Sequence, residues 1–123
     1  MIAALVDQGH VGEWAEGLLI SGPLAAPHLM PVEAANILRR SASSGDISAD
    51  VASLAHEDLV SLRLELFPYR LCASRVWELR SNITVYDAWY VALAETLGAR
   101  LATLDARLSR AAGTRCEFAL PPT

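Results

Sequence analysis

Apolar residues recur along this chain at helical spacing, interrupted by short apolar runs that read as strands. Ile2, Leu5 and Val6 look like the last turns of a helix closed at Gly9. Trp14, Leu18 and Leu19 mark a second helix over 11–20. Residues 24–28 read as a strand bounded by Pro23. Pro31 suits a first helical turn, where its missing N–H costs nothing. That helix runs with Val32, Ala35 and Leu38 to about Ser43 and stops at Gly45. Ser48 caps the next helix, with Asp50 in its first turn and Val51, Leu54, Ala55, Leu59 and Leu62 as the apolar stripe. A strand over 64–67 ends at Pro68, and a helix over 71–79 carries apolar Val76, Trp77 and Leu79. The clearest helix spans 84–97, opened by Thr84 and ended by Gly98. A strand over 100–103, a helix over 106–112 and a strand over 116–120 complete the pattern.

The alternation at the end of the chain predicts βαβ units, hence an α/β fold with a central parallel sheet flanked by helices. No repeat or linker interrupts it, and 123 residues suit a single domain over 1–123. No apolar run reaches the roughly 18 residues of a membrane span, and no basic stretch precedes the apolar start, so a cytoplasmic protein is expected. Cys72 and Cys116 lack metal or redox spacing and read as small buried apolar residues. The net charge of −4 argues against gripping nucleic acid by bulk charge. All ten basic residues are nevertheless Arg, the side chain best shaped for phosphate.

Three acids stand in apolar surroundings. Asp87 heads a helical face that continues through Tyr90, Val91 and Ala94. Thr84 with an acid three residues on also resembles a capping pair, so Asp87 has a structural reading as well. Glu33 follows Pro31 in a first turn and shares a face with Asn36, Ile37 and Arg40. Asp105 follows a strand and precedes a helix; it can cap, or stand at the carboxyl end of a parallel strand where active sites collect. Thr103, two residues earlier, would point the same way and could add a hydroxyl. Clustered carboxylates raise one another's pKa unless a cation intervenes, and hard oxygen ligands suit Mg²⁺ or Mn²⁺.

The stretch Tyr86-Asp87-Ala88-Trp89-Tyr90-Val91-Ala92-Leu93-Ala94-Glu95, continued by Gly98-Ala99-Arg100-Leu101-Ala102-Thr103-Leu104-Asp105-Ala106-Arg107-Leu108, resembles the PIN-domain family, in particular VapC-type toxins. His28 to Asn36 is similar to that family's segment around its Glu. The resemblance covers nearly the whole chain. It implies a PIN-like fold and an endoribonuclease with Mg²⁺ or Mn²⁺ at Glu33, Asp87 and Asp105, with Thr103 beside the last acid. It also implies a tRNA- or rRNA-class substrate, a VapB-type antitoxin and a homodimer. Family members open with a strand ending in Asp. Here residues 1–7 align with the helix after that strand, so the first strand and its Asp are expected to be missing. In-frame codons before Met1 should encode them.

Trp14, Trp77 and Trp89 could stack on RNA bases, but core or interface packing suits them better; the helices around Trp14 and Leu18 could form an antitoxin groove. Arg39, Arg40, Arg75, Arg80, Arg107 and Arg110 are candidates for phosphate contact or for surface ion pairs. His10, His28 and His56 lack a nucleophile partner. Two other functions compete: an inactive PIN-like remnant that binds an antitoxin or itself, and a helical interaction domain whose acids are only caps.

Overall fold

The computed structural model describes residues 17–18 and 22–122. Gly17 and Leu18 are helical; the remaining expectations for the first 21 residues, including the missing first strand, lie outside the described residues. In chain order follow β1 (Leu24–Pro27), α1 (Met30–Ser43), α2 (Ala49–Ser61), β2 (Leu64–Phe67), α3 (Tyr69–Leu79), α4 (Val85–Leu97), β3 (Leu101–Ala102), a 3₁₀ turn (Leu108–Arg110) and β4 (Phe118–Ala119).

The chain clusters into two compact units: residues 29–65 belong to the first, residues 25–28 and 66–121 to the second. In the first, α1 buries Met30, Ala34 and Leu38, a stripe with a period of four residues, and α2 buries Ala55 and Leu59. Pro31 occupies the first turn of α1 as expected, and Ser48 Oγ accepts the Val51 N–H at 3.1 Å to cap α2. The apolar stripe expected on α2 is only half buried: Val51 and Leu54 are 42% and 61% exposed. Ala55 and Leu59, four residues apart, share the inward line; Val51 lies on the same line but in the first turn, where it stays exposed, and Leu54 lies about 100° off it.

The second unit holds a core of Cys72, Val76, Leu79, Ala88, Val91, Ala92, Leu93 and Leu108. On α3 the buried positions are 72, 76 and 79. Trp77 lies about 100° round from Val76 and faces outward, 60% exposed, so it is not a core residue, while the interface and stacking readings stand. Its ring is covered by the Arg80 guanidinium at 4.6 Å. Trp89, by contrast, packs on the core and meets Tyr69 edge-on at 5.4 Å.

The strands are short. β1 and β2 are neighbours, and His28 N–H extends the pairing to Phe67 O at 2.9 Å. β3 pairs in parallel with β4, Leu101 opposite Phe118 and Ala102 opposite Ala119. Among the described residues the strands form two two-stranded pieces, of which β3–β4 is parallel. One expected element is replaced. Residues 106–112 form no α-helix, only the single turn Leu108–Arg110. The turn ends where Ala111 goes extended at ψ 141°; Asp105 Oδ1 accepts the Arg107 and Leu108 N–H groups at its start, and Asn82 donates to the Ala112 carbonyl after it. Gly113 then turns at φ +87°, where an added Cβ would meet Asn82 Nδ2 at 3.0 Å.

Candidate active site

Each acid is held by its own local device. Glu33 stands half-buried in the first turn of α1, in the first unit. Asp87 stands in the first turn of α4, whose cap is the Thr84 hydroxyl accepting the Asp87 N–H at 3.1 Å. The capping expectation is therefore met through the backbone of Asp87, which leaves its half-buried carboxylate at the head of the face Tyr90–Val91–Ala94.

Asp105 and Thr103 are brought together directly. Thr103 N–H continues the β3–β4 ladder to Ala119 O at 3.1 Å, and Thr103 Oγ1 accepts the Asp105 N–H at 3.0 Å. Asp105 Oδ1 accepts from Arg107 N at 2.9 Å and Leu108 N at 3.3 Å; Oδ2 takes neither bond. One oxygen caps the turn, the other does not, and the residue is exposed.

The second unit also fixes the direction in which these groups lie. Asn82, just before α4, donates to Ala112 O at 2.9 Å, while Glu95, near the end of α4, accepts the Arg115 N–H at 2.7 Å. Residues 112–115 therefore run toward the C-terminal end of α4, and β4 leaves from there. The parallel β3 does the same after Gly98 reverses the chain at φ +62°. Thr103 and Asp105, beyond β3, are carried back toward the end of the unit where α4 begins with Asp87. Among the described residues no group of three or more His, Cys, Asp and Glu stands close enough together to hold a metal ion.

Glu95, part of the quoted motif but with no role foreseen, proves the most connected acid. Arg75 donates to it through Nε at 2.7 Å and Nη2 at 3.2 Å, and Arg75 Nη2 also reaches Gly113 O at 2.6 Å. The available signal was its position one turn beyond Val91 on an apolar face. Burial raises the Glu95 carboxyl pKa, but the Arg75 hydrogen bonds, the Arg115 N–H and the charges of both arginines outweigh it, so the net shift is downward. Arg75 is thereby committed to Glu95 and Gly113, whereas Arg80, lying over Trp77, stays exposed.

Two clefts lie apart from the acids. One of about 410 Å³ sits between α1 and α2, lined by Leu38, Arg39, His56 and Glu57 among others. The other, about 510 Å³, lies at the start of β3 and β4 and includes Glu95, Arg100, Arg115 and Cys116. Neither includes Glu33, Asp87 or Asp105.

An α/β arrangement with acids at helix starts and at a strand's carboxyl end is the class of structure expected of a PIN domain. The PIN-domain family matches residues 1–114, and the chain belongs to that family. Over 122 residues it is 39% identical to Ribonuclease VapC1 of Mycobacterium tuberculosis, covering 98% of this chain and 91% of that one. It is 36% identical over 121 residues to VapC ribonuclease Mb0985 of Mycobacterium bovis, covering 98% and 92%. Ribonuclease VapC3 of Pyrobaculum aerophilum is 38% identical over 85 residues, covering 66% and 65%.

Proposed function

We propose that this chain is a metal-dependent endoribonuclease, the toxin of a type II toxin–antitoxin pair, acting as one PIN-like domain over residues 1–123. The observation that carries the reading is Asp105: braced by Thr103 at the carboxyl end of β3, it keeps one carboxylate oxygen for a ligand. Relatives named ribonucleases, similar across nearly the whole chain, support it.

In this reading Glu33, Asp87 and Asp105 hold Mg²⁺ or Mn²⁺. The donor set fits in kind, being carboxylate and hydroxyl oxygen without thiol or imidazole. Mg²⁺ commonly keeps several waters and needs only one or two carboxylates besides the substrate's phosphates. Bound there, the ion supplies a more acidic water and neutralises charge on a phosphodiester. The chain's own residues supply the positions: Thr103 orients Asp105, and the Thr84 cap sets the first turn that carries Asp87. The substrate is RNA of the tRNA or rRNA class, the inhibitor a VapB-type antitoxin, the assembly a homodimer and the compartment the cytoplasm.

Asp105→Asn tests the assignment, because Asn caps as well as Asp and keeps an oxygen for the Arg107 and Leu108 N–H groups. The fold should be retained while RNA cleavage is lost; a variant that cleaves at the wild-type rate would reduce Asp105 to a cap. Mg²⁺ or Mn²⁺ at a hundredfold excess over Kd should stabilise the wild type by about 2.7 kcal/mol. The second reading is an inactive PIN-like protein that binds an antitoxin or itself. It is selected if neither ion raises Tm and the purified chain leaves RNA intact.

A further inference from the structure

We propose that Arg107 and Arg110 form a two-phosphate clamp for the RNA backbone, carried on the turn that Asp105 caps; the proposal rests on the ribonuclease reading above. With ten cations and a net charge of −4, RNA must be held by local contacts and not by bulk charge. Several arginines are already committed: Arg75 to Glu95 and Gly113, Arg80 to Trp77, Arg39 to Asn36. The side chains of Arg107 and Arg110 are exposed and, among the described residues, carry no hydrogen bond or ion pair.

Their geometry comes from the turn. Arg110 N–H donates to Arg107 O at 3.1 Å, and Ala111 N–H to Leu108 O at 3.1 Å. In such a turn residues three apart eclipse, so the two side chains leave the backbone on one side, about 6 Å apart along the axis. Leu108, only 6% exposed, anchors the turn in the core. Asp105 spends Oδ1 on two backbone N–H groups and makes no ion pair with Arg107, so the acid does not neutralise the cations beside it. Two permanently charged planar forks on one anchored turn suit consecutive phosphates of a strand. That strand would then pass the exposed Asp105.

Arg100 and Arg115 supply the control. They flank the opposite, entering ends of β3 and β4, and their guanidiniums donate no hydrogen bond among the described residues, although the Arg115 charge also acts on Glu95. Binding of a fluorescein-labelled single-stranded RNA to the full chain is followed by anisotropy in EDTA, so that cleavage does not intervene, across a NaCl series. Each phosphate contact contributes about 0.7 to the slope of log K against log salt, so R107Q/R110Q should lower the slope by about 1.4. R107K/R110K should keep it, and R100Q/R115Q should leave it unchanged. An unaltered slope in R107Q/R110Q overturns the clamp. So does an equal fall in R100Q/R115Q, which would make the effect one of bulk charge. Failure of the ribonuclease reading is seen separately: wild-type chain that neither binds this RNA nor cleaves it with Mg²⁺ or Mn²⁺ removes both proposals.

Discussion

Replacing Glu95 should destabilise the chain by an amount that disappears in acid. Its carboxylate takes two hydrogen bonds from Arg75 and one from the Arg115 N–H, and the two side chains are 13% and 19% exposed. Breaking a fully buried ion pair costs about 3–5 kcal/mol, and an exposed pair contributes at most about 1. This pair is mostly but not wholly buried, so Glu95→Ala should cost about 2–3 kcal/mol. Glu95→Gln keeps one acceptor oxygen and should cost about 1–2 kcal/mol. The carboxyl titrates below its ordinary 4.5 in the folded chain. Its stabilisation is therefore complete above that value and is lost as pH falls through the folded one. Urea denaturation followed by circular dichroism, at pH 7 and at steps below 4.5, measures the gap between wild type and Glu95→Gln. The gap should narrow steadily in acid. A gap unchanged between pH 7 and the most acidic condition in which both proteins fold, or no gap at pH 7, would refute the reasoning.

Three further outcomes follow from the same unit. Leu79, 1% exposed in the core of the second unit, should cost about 2–5 kcal/mol as Leu79→Ala in the same urea assay, and a loss below 1 would mean that the core is not packed as described. Thr84→Ala removes the hydroxyl that caps α4 and should cost about 1 kcal/mol, whereas Asp87→Asn, which keeps the Asp87 N–H in that bond, should cost little stability and, on the nuclease reading, all the activity. Burial raises the Cys72 thiol, and burial together with the Glu95 charge raises Cys116, so at pH 8 Ellman's reagent should label the folded chain far more slowly than the urea-unfolded one; one rapidly labelled thiol in the folded chain would contradict this.

Most elements were legible because local chemistry marks their ends. Pro31, Ser48, Pro68, Thr84 and Gly98 all stand at helix boundaries in the structure, as their capping and turning properties require. The strand over 64–67 was readable for a similar reason, an apolar run cut by proline. The helix expected over 106–112 ends after one turn, where Ala111 turns extended, and the chain beyond it is held by residues distant in sequence: Asn82, thirty residues earlier, binds Ala112 O, and Arg75 binds Gly113 O. That Trp77 faces outward was not legible because three apolar residues in one turn do not reveal which of them faces inward.

The sequence by itself determined the family and the acids, since residue type and spacing around Tyr86–Glu95 and Thr103–Asp105 persist whatever the packing. It also set the helix caps, whose hydrogen bonds close within three residues. Tertiary structure alone decided what each charged group is free to do. It tied Glu95 and Arg75 to a segment distant in sequence, divided Asp105 between an oxygen that caps and one that does not, and left Arg107 and Arg110 without partners beside it. The physical reason is that a side chain's chemistry is intrinsic, while its availability depends on which distant donors and acceptors folding brings within hydrogen-bond reach.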